Sequence, residues 1–171
     1  MKSSKLQRVY FALTGCLIAM QAAASTHPAL EREQVCDDIR VAIIRFQINE
    51  WLAVGWNSDS AEETNSSEET FFVSVNDQDP SKDFMKCLSD LPGRIRYASE
   101  EGWRNFHMAD SQTGNYAVEF WVKRVRLRNA DIAEVEAGHS CGMTCGAQIR
   151  FQLRRISGHW RVTRKLWAVY E

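Results

Sequence analysis

Cys141 and Cys145, with His139 just before them and His159 further on, are the densest group of side chains able to hold a metal, exchange a disulfide or move a proton. Each chemistry sets its own demand on spacing. A structural zinc site wants four converging ligands, usually as close pairs of cysteine or histidine. If residues 147–156 form a strand, its rise carries the chain about 30 Å from the cysteines before His159 is reached. Only His139 and the two thiols could then meet, and that set fits no common zinc pattern, so no metal is expected. A redox dithiol needs a thiol acidified by a helix start or a nearby cation. Thioredoxin-like motifs place two residues between their cysteines on a helix, whereas three intervene here, between strands. The pair reads as a structural staple. The nearest acid–base couple is His107 with Asp110, and two residues at that separation are a thin catalytic set. No Ser-His-Asp pattern and no phosphate-cradling glycine loop can be argued from spacing. No catalytic residue is assigned, and no cofactor is expected.

The elements that must position these residues are legible. Ile149, Phe151 and Leu153 alternate with Arg150, Gln152 and Arg154, the period of a strand buried on one side. Ser157-Gly158 supplies a two-residue turn, because glycine tolerates the positive φ that such turns require. That turn pairs Leu153 with Val162, Ile149 with Leu166, Arg154 with Arg161 and Arg150 with Lys165. One face is then mainly apolar and the other strongly basic. Opposed like charges are unfavourable, so acids are expected from the preceding strand, with Val135 beside Ile149 and Glu134 beside Arg150. A compensated, solvated face is the expected outcome. Phe151 facing Arg164 is the pair that fits this register least well.

Upstream, Leu30 to Leu52 reads as a long helix with Val41, Ile44, Ile48, Trp51 and Leu52 on one stripe. Asn57 to Thr70 is acidic and Ser-rich, the composition of a mobile loop. Its Asn65-Ser66-Ser67 matches a glycosylation sequon, a coincidence given the bacterial look of the leader. Phe71 to Val75 reads as a short strand with Phe71, Val73 and Val75 on one face. Asp79-Pro80 reads as an N-cap and first helical position, followed by a helix burying Phe84, Leu88 and Leu91 and stopped by Pro92-Gly93. Strand patterning returns at Arg94–Tyr97, at Asn115–Leu127 and from Asp131 to Ala137. The order of elements predicts an α+β domain, a curved antiparallel sheet wrapped around the long N-terminal helix and a second helix.

Residues 1–24 read as a signal peptide: Lys2, Lys5 and Arg8, an apolar run from Val9 to Met20, and Ala22-Ala23-Ala24 before Ser25. Residues 25–171 are then a single α+β domain, periplasmic or secreted. Leu13-Thr14-Gly15-Cys16 offers the other processing, a lipoprotein anchored through Cys16. No further membrane segment follows. Formal net charge is −1, with acids in excess up to Gly114 and bases in excess beyond it. That balance argues against nucleic-acid binding, which wants a net basic domain. In an oxidising compartment Cys36, Cys87, Cys141 and Cys145 pair in one of three ways. Cys36–Cys87 with Cys141–Cys145 is the expected scheme. In the chain-entropy model the long loop contributes about 4 kcal/mol and the short one about 2 kcal/mol.

The run Cys141-Gly142-Met143-Thr144-Cys145-Gly146, followed by a hairpin ending Gly158-His159-Trp160-Arg161-Val162, resembles a group of uncharacterised secreted bacterial proteins. Their Cys-Gly-x-x-Cys-Gly segment precedes two closing strands and a Gly-x-Trp-x-Val element. That group is similar to the nuclear-transport-factor-2-like (cystatin-like cone) superfamily, and the resemblance reaches more weakly to Phe71–Val75 and Asp79-Pro80-Ser81. It implies a cone with a pocket between helix and sheet, and it transfers no catalytic residue. Two functions are expected on these grounds. The first is an exported, non-catalytic binding domain for a small molecule or a cell-envelope protein partner. The alternative is a pocket enzyme of isomerase or dehydratase type using an acid/His pair. Candidate binding residues are Trp167, His139, His107 and Asp110; Trp51, Trp103, Trp121 and Trp160 read as core fillers.

Overall fold

The computed structural model describes residues 28–54 and 69–170. The leader with Cys16, and the acidic stretch from Asn57 with its sequon, lie outside the described residues. The long helix is present as α1, Pro28–Val54. Its buried stripe is Ile39, Ile43, Ile44 and Ile48, all at 0% exposure. Each such burial stabilises the fold by about 1.5–3 kcal/mol. Val41, Trp51 and Leu52 flank that stripe and pack against it partly buried.

The stripe lies against an open, curved and mostly antiparallel sheet of eight strands. The strands are β1 (Thr70–Val75), β2 (Arg94–Tyr97), β3 (Glu101–Arg104), β4 (His107–Asp110), β5 (Ala117–Asn129), β6 (Ile132–Gly142), β7 (Cys145–Ile156) and β8 (His159–Tyr170). β2-β1-β5-β6-β7-β8 form a continuous ladder, and the β3–β4 hairpin joins the end of β6 through His107 and Gly142. The expected curved antiparallel sheet is present in its larger part, and β1 departs from it by pairing parallel with both β2 and β5. The reason is in its side chains. Phe71 and Val73 enter the main core while Phe72 is buried in a second cluster with Met108 and Ala117. A strand covered on both faces reads as an unbroken apolar run, as parallel strands do.

The second helix shrinks to α2, Lys82–Lys86, a little over one turn. Its N-cap is Ser81, whose Oγ accepts from the Phe84 N–H at 3.2 Å. Asp79, the expected cap, instead accepts from the backbone N–H and hydroxyl of Ser99. Leu88 and Leu91 are buried as expected, but from the turns beyond α2. Arg45 fastens those turns to α1, donating to both oxygens of Asp90 at 2.6 and 2.7 Å and to the Cys87 carbonyl at 2.8 Å. The Arg45 guanidinium holds the Asp90 carboxyl down at about 2.

Cys141 and Cys145 form the short bridge, with Cα atoms 5.2 Å apart. The long bridge is a correction, since Cys36 and Cys87 are separate thiols. Cys36 lies nine residues from Arg45, about 180° around the helix, so it leaves α1 on the side away from the Cys87 segment. Non-reducing peptide mapping is expected to link Cys141 to Cys145 and to find Cys36 and Cys87 alkylated. Cys141→Ala/Cys145→Ala is expected to lower unfolding free energy by about 2 kcal/mol in urea titration, the loop-closure term alone.

The closing hairpin turns at Ser157 and Gly158, with φ of 50° and 83°. Leu153 faces Val162 and Arg154 faces Arg161, as the pattern predicts. Beyond that, two register shifts in β8 break the expected pairing. Phe151 meets Lys165, Arg150 meets Trp167 and Ile149 meets Ala168. A bulge puts two residues opposite one and exchanges the faces of the residues beyond it. The first bulge removes Arg164 from its place opposite Phe151 and sets it opposite Gln152. The β6–β7 register is also two residues from expectation, with Val135 beside Phe151 and Glu136 beside Arg150.

Candidate functional site

The same bulge that moves Arg164 turns Lys165 to the inner face, where it enters a cleft between α1 and the sheet. The cleft encloses about 470 Å³, within the range of small-molecule sites. α1 contributes Phe46, Gln47, Glu50 and Trp51, neighbours on one helical face by their spacing. The sheet contributes a register row running Phe120, His139, Ala147 and Tyr170 across β5, β6, β7 and β8. Ile149 and Phe151 extend that floor toward the core.

Aromatic edges hold His139 in place. Trp51 meets its ring edge-on at 5.1 Å between centroids, and Phe120 lies at 6.1 Å. Burial pushes the imidazole below its ordinary range, and the Lys165 ammonium pushes the same way. At neutral pH the ring is therefore uncharged, with one nitrogen a donor and the other an acceptor. Lys165 Nζ stands 3.4 Å from Glu50 Oε2 and 6.0 Å from the Phe46 ring. Both partners of that pair are about half exposed, so it contributes no more than about 1 kcal/mol.

Gln47 is the anomaly of the cleft. It is 5% exposed, and both its Oε1 and its Nε2 are buried without a hydrogen-bond partner among the described residues. Leaving such groups unpaired costs about 1–3 kcal/mol. The signal was available in the sequence as a polar residue set among Ile43, Ile44, Ile48 and Trp51 on the apolar stripe.

The other expected site residues go elsewhere. Trp167 lies on the outer face of the sheet, with the Arg150 guanidinium 5.3 Å from its ring. His107 and Asp110 are three residues apart on β4, and odd separations put side chains on opposite faces. His107 is exposed and meets Tyr116 edge-on at 5.3 Å. Asp110 is 1% exposed and fully engaged by Arg96, Thr70 and the N–H groups of Gln112 and Thr113. The expected acid/His couple is therefore not assembled.

These contacts limit the chemistry open to the cleft. Among the described residues no carboxylate pairs with His139, and Glu50 is engaged by Lys165. Among the described residues no three His, Cys, Asp or Glu side chains gather as metal ligands. No described helix is long and apolar enough to cross a membrane. Comparison with family models, curated proteins and solved structures found no match.

Proposed function

We propose that this chain is an exported, non-catalytic binding domain of the nuclear-transport-factor-2-like cone type, and that its α1–sheet cleft holds a small molecule. The ligand has an apolar body, to lie against Trp51, Phe120, Ile149 and Phe151. It also carries one polar group that both accepts from and donates to a primary amide. The observation behind this reading is the buried amide of Gln47, which has no hydrogen-bond partner among the described residues. A buried amide is a standing cost to the empty domain; its atoms are closed to solvent, so the ligand's polar group reaches them by parting the cleft wall over Gln47, and the pairing removes that cost. Export rests on the sequence of residues 1–24.

Gln47→Leu separates this reading from a purely structural role. Leucine keeps much of the volume and removes the unpaired polar atoms, so the variant is expected to be more stable in urea by about 1 kcal/mol. Native mass spectrometry of wild-type protein taken from an envelope extract, with solvent extraction and mass analysis, is expected to find a bound small molecule. Gln47→Leu is expected to carry none. A variant that is less stable than wild type and still carries the same molecule overturns the proposal.

A further inference from the structure

The outer face of the sheet carries a second feature, remote from the cleft. Three register rows cross β5, β6, β7 and β8 near the closing turn. One row runs Arg126, Glu134, Gln152 and Arg164. The row nearer the turn sets Ile132 beside Arg154 and Arg154 beside Arg161, with Arg128 in the adjoining β5 bulge. On the other side, Glu136 meets Arg150 and Arg150 meets Trp167, with Arg124 in the second β5 bulge. Strand spacing and rise make this a patch about 14 Å on each side.

Its charges do not cancel. Glu134 is claimed by Arg128 at 2.7 Å, and Glu136 accepts from Gln148 at 2.6 Å. The Arg128 hydrogen bond holds the Glu134 carboxyl below its usual range, with Arg150 and Arg126 adding to the effect. Among the described residues, Arg124, Arg126, Arg150, Arg154, Arg161 and Arg164 form no ion pair. Arg154 and Arg161 stand directly opposite each other, an arrangement that destabilises a sheet unless an anion covers it. The compensation expected from β6 thus falls short.

We propose that this face docks on an anionic lipid surface, through its headgroup phosphates. Three observations favour that occupant. The depression lined by Arg124, Arg126, Glu134, Glu136 and Arg150 holds only about 20 Å³, room for one water, so no small anion is enclosed. The arginines spread in two dimensions instead of lining a groove, matching a plane of charges better than a single polymer strand. Among the described residues no large exposed apolar side chain stands at the centre of the patch: Trp167 is at its edge, half-buried with the Arg150 guanidinium 5.3 Å from its ring, and Ile156 and Val169 lie beyond its edges. A protein interface of this size is expected to carry such an anchor at its centre. The patch and the cleft occupy opposite faces of the sheet, so neither depends on the other.

Flotation with phosphatidylcholine vesicles, with and without phosphatidylglycerol, tests it. Wild type is expected to float only with the anionic vesicles and to be released between 0.1 and 1 M salt, as the screening length falls from about 10 Å to about 3 Å. Each basic residue near such a surface strengthens binding about fivefold, so Arg154→Gln/Arg161→Gln/Arg164→Gln is expected to weaken it about a hundredfold. Lys82→Gln/Lys86→Gln, on α2 and away from the face, is expected to bind as wild type. Flotation with neutral vesicles, no flotation with either, or equal loss in the α2 variant overturns the proposal. So does binding to soluble polyglutamate that is as tight per charge as binding to the vesicles.

Discussion

Asp110→Ala is expected to lower unfolding free energy by about 3 kcal/mol, the cost of taking the acceptor away from Thr70 and from the Gln112 and Thr113 N–H groups and of leaving Arg96 with Glu100 alone. The carboxylate ties four pieces of chain together. Arg96 from β2 donates to Oδ1 at 2.6 Å, Thr70 from β1 donates to Oδ2 at 3.1 Å, and the turn after β4 supplies the N–H groups of Gln112 and Thr113. Arg96 is itself only 15% exposed and keeps Glu100 as its second partner. Burial raises the Asp110 carboxyl, but the Gln112 N–H, Arg96 and Thr70 together hold it below its usual range. The sign follows: the depressed folded-state value contributes stability above the ordinary carboxyl pKa near 4, lost as pH falls through the lower value. Asp110→Asn is therefore expected to flatten the acid limb of stability below about pH 4. Urea titration followed by tryptophan fluorescence checks both. Arg96→Met/Asp110→Leu is expected to recover only part of the alanine loss, because it removes both charges but leaves Thr70 and the Gln112 and Thr113 N–H groups without their acceptor. A loss under about 1 kcal/mol in Asp110→Ala would mean that the pair is screened by solvent.

The fate of Asp110 shows how far residue type alone reaches. As a histidine neighbour it suggested proton transfer; its burial and its pairing with Arg96 depend on β2, which sequence spacing does not bring near. What was legible came from local period. Ile44 and Ile48 marked α1, Ile149, Phe151 and Leu153 marked β7, and Ser157-Gly158 marked the turn. What was lost came from contacts that leave no periodic trace. The β8 bulges have no residue signature, yet they decide that Lys165 enters the cleft and Arg164 leaves it. The misfit of Phe151 against Arg164 was their only warning. Phe71-Phe72-Val73 carried the mark of a strand buried on both faces, which points to parallel pairing. Gln47 on an isoleucine stripe was the readable sign of the cleft. Cysteine counting paired Cys36 with Cys87, and only the packing of α1 separates them.

Gly138→Ala is expected to cost about 3 kcal/mol or more, the upper end of what overpacking does. A Cβ at Gly138 would run into the Ala147 carbonyl oxygen of β7 and the indole of Trp121, which covers Gly138 from β5. The indole can rotate. The carbonyl cannot, because it belongs to the β6–β7 ladder, so two strands must part. Gly158 makes the control. It sits at φ 83° with nothing near its missing side chain, so Gly158→Ala meets only the left-handed backbone penalty of about 1–2 kcal/mol. Trp121→Leu placed on Gly138→Ala isolates the two obstacles. Partial recovery leaves the backbone clash as the main term, whereas full recovery would assign the whole cost to the indole. The consequence reaches the cleft, since His139 follows Gly138 and pairs with Ala147. Parting β6 from β7 there tilts the imidazole away from Trp51, so if the cleft binds the small molecule proposed above, Gly138→Ala is expected to lose it while Gly158→Ala keeps it.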